Sequence, residues 1–452
     1  MKNYAALLKK YDVPVPRYTS YPTVPQWQTQ AFDTIAWQQK LKLAFDESNE
    51  AKGISLYIHL PFCESLCTYC ACNTRITKNH SVEEKYIKAL MQEWSLYESI
   101  FQTKPILREL HIGGGTPTFF NADNLDKLLT ALLSRVNIHP EYEFSLEGHP
   151  NNTMSAHLDV LQKHGFKRIS FGVQDLSEQV QKAIHRIQPF ENLERVVLQS
   201  RERGFTSVSF DLIYGLPFQT IASVADTMKQ VLTLRPDRIS FYSYAHVPWL
   251  KPGQRGYEDA DLPGDMRKRT LYETGRSRLI MAGYVEIGMD HFALPHDSLF
   301  KAQRAGKLHR NFMGYTTTNT DILIGLGASS ISETTYGYAQ NIKEVEAHQK
   351  SGEEGLLPVL KGHLHEGDDR LRKDIILSLS CHGFARIEDV KAVVDEESMD
   401  LLEEMQQEGL LRINHDAVRV TQAGFTFIRN ICQVFDAYAD LMKDKVVYSK
   451  AI

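Results

Sequence analysis

Four cysteines lie within ten residues of this chain and form the strongest chemical signal in the sequence: Cys63, Cys67, Cys70 and Cys72. Thiolates are soft ligands, and such a dense group at the junction of a strand and a loop favours an iron–sulfur cluster. A cubane held by only three thiolates keeps one iron open. That iron could chelate a ligand and transfer an electron to it.

Zinc and disulfides explain these cysteines less well. A structural zinc site usually combines one closely spaced pair with a second, distant pair, whereas the remaining thiols, Cys381 and Cys432, lie in apolar helical patterns typical of inert core residues. Disulfide frameworks are typical of small secreted domains, and this chain has 452 residues. The sequence therefore favours an iron–sulfur cluster over zinc, and zinc over a disulfide.

The bulk composition excludes several classes of protein. A chain of 452 residues is too long for a single core, so we expect two or three domains. A net charge of −5 gives no basic footprint for nucleic acid. No window approaches the length of a transmembrane helix, and residues 1–10 do not suit a signal peptide. We therefore expect a cytoplasmic protein with reduced thiols and no membrane partner.

Alternating strand-like and helical segments between residues 54 and 246 must position the cysteines. This alternation predicts parallel strands joined by right-handed crossovers. The predicted strands are Ile54–Leu60, Leu107–Ile112, Tyr142–Glu147, Arg168–Val173, Val208–Ile213 and Arg238–Tyr244. The predicted helices between them include Val82–Ser99, Ala122–Ser134 and Ile221–Leu234.

One face of these strands is repeatedly polar. In the first strand Ser55, Tyr57 and His59 alternate with aliphatic residues, and Asp211 has the same position in a later strand. A closed (β/α)8 barrel fills its interior with Val, Ile and Leu. We therefore predict an incomplete barrel whose concave face lines a wet, functional cavity. An antiparallel sheet with one solvated face is the alternative, which the intervening helices disfavour.

The remaining segments suggest four parts: an N-terminal arm or lid (1–47), a core (48–284), a connecting segment (285–362) and a mainly helical C-terminal domain (363–452). Prolines at both ends of the arm sequence at 16–23 favour extended backbone, which would suit either a lid or a strap packed on the surface. Further predicted elements are the helices Leu262–Ala282, Leu371–Ser380, Asp400–Glu408 and Gly424–Leu441 and the strand Val418–Val420.

Several motifs together resemble a known family. Tyr57-Ile-His-Leu-Pro-Phe-Cys-x3-Cys-x-Tyr-Cys70 is similar to the cluster motif of radical S-adenosylmethionine (SAM) enzymes. More specific segments resemble the oxygen-independent coproporphyrinogen III oxidase (dehydrogenase) family nearly end to end. These segments are Cys72, Arg17–Thr23, Gly113–Pro117, Asp211–Pro217, Tyr244–His246, Gly288–Phe292, His309–Phe312 and Arg429–Cys432.

The resemblance implies an α/β fold, an incomplete (β/α)6 radical SAM barrel, and a radical SAM oxidoreductase. Such enzymes oxidatively decarboxylate two propionates of coproporphyrinogen III to vinyl groups, which gives protoporphyrinogen IX for haem synthesis. The resemblance implies one [4Fe–4S] cluster and two SAM molecules, with a 5′-deoxyadenosyl radical that removes hydrogen from the propionate β-carbon. We also expect a flavodoxin- or ferredoxin-like electron donor and a monomer.

The family motif assigns Cys63, Cys67 and Cys70 to the cluster. Cys72 falls outside this set; we expect it near the site without ligating iron, and a buried packing thiol is the alternative. The SAM contacts implied by the resemblance are Tyr57, Tyr69, Gly114, Gly115, Thr116, Glu147, Gln174, Arg186, Asp211, Ala245 and Ile331. Without the resemblance, the glycines suggest a turn, Arg186 a solvated charge, and Ala245 and Ile331 packing residues.

The loop after Glu147 departs from the family pattern. The family usually continues Glu-Val/Ala-Asp-Pro, whereas this chain has Gly148 and His149 before the proline, so we expect a reshaped loop. The substrate carries four propionates, which need cationic partners, preferably bidentate arginines. Charge matching and position give four candidates, of which the arginines are the stronger: Arg17, Arg310, His291 and His309.

Three rival functions differ from this enzyme in testable ways. A haem chaperone of the same superfamily would lack dehydrogenase activity; such relatives carry an aromatic residue in place of Cys72 and lack the arm at 17–23. A radical SAM methyltransferase would act on another substrate. An iron–sulfur electron carrier would need no glycine loop and no inward carboxylate around its cluster.

Overall fold

The computed structural model describes residues 4–27, 32–249, 251–439 and 448–450. Its strands are β1 (Ile54–Leu60), β2 (Phe62–Cys63), β3 (Arg75–Ile76), β4 (Ile106–Gly114), β5 (Asn137–Gly148), β6 (Arg168–Gln174), β7 (Ser207–Tyr214), β8 (Arg238–Ser243), β9 (Val285–Gly288), β10 (His291–Ala293), β11 (His309–Asn311), β12 (Gly314–Thr316), β13 (Ile322–Leu326), β14 (Ile331–Thr334), β15 (Gly337–Asn341), β16 (Val359–Leu364), β17 (Phe384–Arg386), β18 (Leu411–Ile413) and β19 (Ala417–Val420). Its α-helices are α1 (Tyr4–Tyr11), α2 (Thr34–Lys52), α3 (Val82–Phe101), α4 (Ala122–Leu133), α5 (Ser155–Lys163), α6 (Glu178–Ala183), α7 (Phe190–Glu202), α8 (Ile221–Leu234), α9 (Asp265–Met281), α10 (Ser298–Arg304), α11 (Val345–Glu353), α12 (Asp369–His382), α13 (Ile387–Val393), α14 (Glu396–Gln407) and α15 (Ile428–Gln433).

The centre of the molecule is one large sheet. Its strand order is β16-β15-β14-β13-β1-β4-β5-β6-β7-β8-β10-β9. The six predicted strands, which are β1 and β4 to β8, pair in parallel as their crossover helices require, and β13, which was not predicted, adds a seventh parallel strand beside β1. Among the described strands no pairing joins β9 to β16, so the barrel is incomplete, as predicted, and the antiparallel alternative is wrong.

The apolar face of the sheet forms the main core. Ile54, Leu56 and Ile58 of β1 are fully buried and belong to one cluster with aromatic residues of α3, among them Trp94 and Phe101. Each such aliphatic side chain contributes about 1.5–3 kcal/mol when buried. Because side chains alternate along a strand, this burial turns the polar residues of β1 to the opposite, concave face.

Strands from the connecting segment extend the sheet beyond β1. β13 pairs in parallel with β1, which places Gly325 beside Tyr57. A Cβ atom at Gly325 would lie 2.5 Å from the carbonyl oxygen of Ile331, so glycine permits the close approach of β14. On the other side of the sheet, β10 pairs antiparallel with β8. The segment 285–362 therefore contributes strands to the core sheet.

The C-terminal region combines helices with a small antiparallel sheet, β17-β19-β18. The predicted helices at 371–380 and 400–408 and the strand at 418–420 are confirmed within α12, α14 and β19. The arm packs against this region, because Val15, Tyr18 and Tyr21 share a buried cluster with Ile431 and Phe435.

Two predicted helices differ from the structure. The helix predicted to begin at Leu262 begins at Asp265, because Pro263 and Gly264 disfavour an earlier start. The helix predicted over 424–441 is wrong: a 3₁₀ turn at Gly424–Phe427 precedes α15, which ends at Gln433. The carboxylate of Asp436 accepts a hydrogen bond from the backbone of Tyr438 at 2.9 Å, a local turn that competes with helix. Residues 440–441 lie outside the described residues.

A buried ionisable pair fixes the loop between β13 and β14. The Glu93 carboxylate lies 2.8 Å from His348 Nε2 and also accepts from Asn341 Nδ2 and the amide of Gly327. Both partners of the pair are only 1% exposed. His348→Ala should therefore lower the free energy of unfolding by about 3 kcal/mol, because breaking a buried pair leaves a desolvated group behind.

Urea denaturation of the full chain measures this loss as a lower midpoint. The matched control is His296→Ala, since His296 also pairs with a carboxylate, that of Asp237, but its side chain is 60% exposed. The control should cost less than about 1 kcal/mol. Equal midpoints for both variants would contradict the role assigned to the buried pair.

Candidate active site

Of the four clustered cysteines, Cys63 ends β2 and the other three follow in the next loop. Every cysteine of the described residues is a free thiol. Cys63 Sγ lies 3.3 Å from Thr116 Oγ1, and Arg186 Nη1 donates to Cys67 Sγ at 3.6 Å. Burial raises the pKa of Cys63 to about 11. A hydrogen bond from Cys72 lowers the pKa of Cys70 to about 6.

The donor set fits an iron–sulfur cluster. A cavity of about 490 Å³ lies beside the loop and is lined by Cys63, Cys67, His149 and Arg186, among others. In the described part of the chain, no three His, Cys, Asp or Glu side chains converge to hold one metal ion. The three thiolates of a cubane bind three different irons, so this arrangement is compatible with a cluster. The side chain of Cys72 is accessible, which disfavours the packing thiol considered above.

A layer of polar side chains lies on the concave face next to this loop. Tyr57 Oη is 3.0 Å from His59 Nδ1, while His59 Nε2 donates to the carbonyl of Asn73 at 2.9 Å. Burial lowers the pKa of His59, so its neutral ring accepts from the tyrosine. The ring of Tyr57 stacks on that of His111, with centroids 5.9 Å apart. Tyr57 therefore lies on the concave face, as the strand parity predicts.

Glu147 ends β5 at the edge of the same layer. Its carboxylate accepts from His111 Nε2 and from the amide of Gly114, both at 3.2 Å. Burial acts to raise the pKa of Glu147, but these hydrogen bonds and the nearby His111 lower it overall, so the group is an anion. Its side chain is nonetheless 45% accessible, so part of the carboxylate is free to contact a ligand.

The glycine loop after β4 packs against the cluster loop. The amide of Gly115 donates to Leu60 O at 2.8 Å, and that of Thr116 to Phe62 O at 3.0 Å. A Cβ atom at Gly115 would lie 2.6 Å from Pro61 O, and one at Gly113 would lie 2.9 Å from the Glu147 carboxyl. The glycines are therefore required by contacts within the chain itself, and any ligand contact is additional.

Three further candidates lie on or beside the neighbouring strands β6 and β7. The side chains of Gln174 and Arg186 converge on Gly172, where a Cβ atom would lie 2.6 Å from Gln174 Nε2 and 2.9 Å from Arg186 Nη2. Asp211 accepts a hydrogen bond from Ser170 Oγ at 2.8 Å. Burial raises the pKa of Asp211 to about 6.

The remaining SAM candidates frame this layer. Gln254 Nε2 donates to the carbonyls of Ala245 at 3.1 Å and Tyr69 at 3.5 Å, which ties the segment after β8 to the cluster loop. Ile331 begins β14 against Gly325, the β13 residue that pairs with Tyr57. The structure therefore places all these candidates around the carboxyl ends of the parallel strands.

Three of the four substrate candidates lie together. Arg17 of the arm forms an ion pair with Asp290 and lies over the Tyr242 ring, 5.8 Å from its centroid. Arg310 Nη2 donates to Arg17 O at 3.4 Å, and His291 Nε2 is 3.3 Å from Tyr242 Oη. Burial lowers the pKa of His291 to about 3, so its ring is neutral.

His309 is separated from this group. It precedes Arg310 on β11, so the two side chains point to opposite faces of the hairpin. His309 instead interacts with Glu333 and Lys373, and burial lowers its pKa to about 4. It is therefore placed apart from the other three candidates.

The sequence of this chain is similar over almost its whole length to those of known enzymes. The chain is 39% identical over 440 residues to the oxygen-independent coproporphyrinogen III oxidase of Escherichia coli K12, covering 96% of this chain and 95% of that enzyme. The enzyme of that name from Synechocystis is 36% identical over 99% of this chain and 98% of its own length. This chain belongs to the oxygen-independent coproporphyrinogen III oxidase family.

Structural comparison agrees with this assignment. The structure of coproporphyrinogen III oxidase (HemN) from E. coli, described as a radical SAM enzyme, matches 96% of this chain and 98% of its own, with a TM-score of 0.88 and 38% identity. The model of the radical SAM superfamily matches residues 57–231. The family therefore implies a [4Fe–4S] cluster and SAM. No described helix is long and apolar enough to cross a membrane.

Two residues that position candidate site residues were not predicted from the sequence. His111 stacks on Tyr57 and binds Glu147, and Asp290 pairs with Arg17. His111 could have been found, because strand parity places it on the concave face, two residues before Gly113. Asp290, in the turn after β9, lies within the family segment Gly288–Phe292, but no pattern in the sequence pairs it with Arg17.

Proposed function

We propose that this protein oxidatively decarboxylates two propionate groups of coproporphyrinogen III to vinyl groups without oxygen, which gives protoporphyrinogen IX in haem biosynthesis. The observation that carries the proposal is the match of 96% of this chain to 95% of a curated E. coli enzyme of that name. The chain thus has counterparts for nearly every part of that enzyme, including the arm and the C-terminal region.

Cys63, Cys67 and Cys70 would hold the cluster. The free thiols beside an adjoining cavity support this assignment, and Cys72 lies close enough to interact with Cys70. When bound, the cluster and SAM supply reductive cleavage of a sulfonium and a radical that takes hydrogen from the propionate β-carbon. The chain itself orients the reactants and limits the access of water.

The first SAM would contact Tyr57, Gly114, Glu147 and Ile331. The accessible Glu147 carboxylate supports this, since it is held in place by His111 yet retains free lone pairs for an amine or hydroxyl. Tyr57 pairs with Gly325, which packs against Ile331. The ring of Tyr57 stacks on His111, which holds the Glu147 carboxylate.

A second SAM would occupy the neighbouring group of candidates. Its proposed contacts are Tyr69, Gly115, Thr116, Gln174, Arg186, Asp211 and Ala245. Their support is the convergence of Gln174 and Arg186 on Gly172 and the partly accessible carboxyl of Asp211 two strands from Glu147. Two SAM molecules match the two propionates that react in each substrate.

Arg17 and Arg310 would bind propionates, with His291 beside them and His309 the weakest candidate. The arm (1–47) and the C-terminal domain (363–452) would enclose the substrate over the core (48–284), with 285–362 connecting them. We further propose a cytoplasmic monomer that receives electrons from a flavodoxin- or ferredoxin-like protein.

An anaerobic assay tests the proposed function. Iron and sulfide are reconstituted into the full chain; SAM, a chemical reductant and coproporphyrinogen III are added; and the porphyrin products are separated after oxidation. We expect protoporphyrin, two methionines and two 5′-deoxyadenosines for each substrate. Cleavage of SAM with all four carboxylates retained would leave only the superfamily assignment. Haem binding without vinyl formation would indicate a chaperone.

A further inference from the structure

Arg17, a candidate for binding a substrate carboxylate, already contacts a carboxylate of the protein. Its guanidinium pairs with Asp290 and lies over the ring of Tyr242. Tyr242 follows Ser240 on β8 by two residues, and Ser240 pairs in register with Asp211. Both the ion pair and Asp211 therefore face the concave side of the sheet.

Two cationic side chains, those of Arg17 and Arg310, lie near the single carboxylate of Asp290. Arg310 lies behind Arg17, over the ring of Tyr315 at 4.8 Å, and is 7% exposed. Its Nε atom has no hydrogen-bond partner. Burial, and then the charge of Arg310, lower the pKa of Arg17. Two guanidinium groups and one carboxylate leave this group with a net positive charge, which attracts a substrate carboxylate.

The fold holds Asp290 in place. The residue adopts a left-handed conformation, with φ of 62°, in the turn between β9 and β10. Its carbonyl accepts from the amide of Phe241 at 2.7 Å. Two hydrogen bonds hold the backbone of the preceding Met289. Its amide donates to Tyr315 Oη at 3.2 Å, and its carbonyl accepts from His291 Nδ1 at 2.7 Å. Asp290 is thus presented to Arg17 by a fixed turn.

We propose that Asp290 occupies the position of a substrate carboxylate: it neutralises Arg17 in the free protein, and a propionate of the tetracarboxylate substrate replaces it. This inference rests on the proposed function. Asp290 and a propionate present the same group, a carboxylate, to the guanidinium, and arginine is the preferred partner of carboxylates. An unpaired, half-buried Arg17 would be costly, so Asp290 stabilises the arm before substrate binds. The same contact weakens substrate binding, because the substrate must displace it.

Asp290→Asn tests the exchange. Asparagine tolerates the left-handed conformation, so the variant should fold. Removal of the competing charge should tighten binding of coproporphyrin III, a stable tetracarboxylate probe, by about tenfold. Binding is followed by porphyrin fluorescence on the full-length, cluster-reconstituted protein. Arg17→Ala should weaken binding, and Asp290→Asn should no longer tighten it in that background.

Two further variants make the outcome decisive. Asp290→Glu keeps the charge and should bind the probe close to wild type. Asp237→Asn is the matched control, since Asp237 is as buried as Asp290 and pairs with His296. This variant should bind coproporphyrin III with the affinity of the wild type. Unchanged or weaker binding by Asp290→Asn would overturn the inference. If the wild-type protein forms no vinyl groups in the anaerobic assay, the proposed function fails instead, which is a separate result.

Discussion

Cys67→Ala should abolish the iron–sulfur cluster and reduce turnover to background. The Cys67 sulfur accepts from Arg186 at 3.6 Å, and both residues border the cavity beside the cluster loop. If three thiolates hold a cubane, loss of one leaves a second iron without a protein ligand. Iron and sulfide content, the broad visible absorbance of the reconstituted protein and cleavage of SAM measure the loss.

Cys72→Ala is the matched control. Cys72 lies on the same loop and is exposed, but the proposed ligand set leaves it out. This variant should retain the iron and sulfide of the wild type, whatever its effect on turnover. Full iron content in Cys67→Ala, or zinc in anaerobically purified wild-type protein, would contradict the three-thiolate cluster.

Strand positions could be predicted because local patterns determine them. Ile54–Leu60 alternates aliphatic and polar residues, and β1 occupies those residues with the aliphatic side fully buried. The last helix could not be predicted in this way, because its end depends on tertiary contacts. The carboxylate of Asp436 accepts from the backbone of Tyr438 and from Tyr18 Oη of the arm, 418 residues away in sequence. A local periodicity carries no information about that contact.

The candidate site was likewise predictable only where local patterns determine it. Family motifs and parity gave Tyr57 and Glu147, whose side chains meet at His111. Charge matching selected Arg17, but its partner Asp290 lies 273 residues away. Such a pair is created by the arm folding over the sheet, so it is visible only in the structure.

Glu147→Gln should weaken SAM binding by about 10- to 100-fold, because a hydrogen bond to a charged group contributes about 1.5–3 kcal/mol. The carboxylate is held by His111 Nε2 and the Gly114 amide, and both donate to it. The glutamine side chain carries no negative charge. It also has only one oxygen, so its NH₂ group would face one of the two donors that now bind the two carboxylate oxygens. A ligand amine or hydroxyl that contacts this carboxylate then loses its anionic acceptor.

Equilibrium dialysis of SAM against the reconstituted protein measures this loss, and iron content should stay at the wild-type value because Glu147 lies outside the proposed ligand set. Glu141→Gln is the matched control: it changes the same residue type on β5, but its side chain is 76% exposed and pairs with Arg108. Since the pKa of Glu147 is lowered, its anion persists below the pH at which an ordinary glutamate protonates, so wild-type affinity should hold across neutral and mildly acidic pH. Wild-type SAM affinity in Glu147→Gln would show that the carboxylate only supports the fold of the glycine loop.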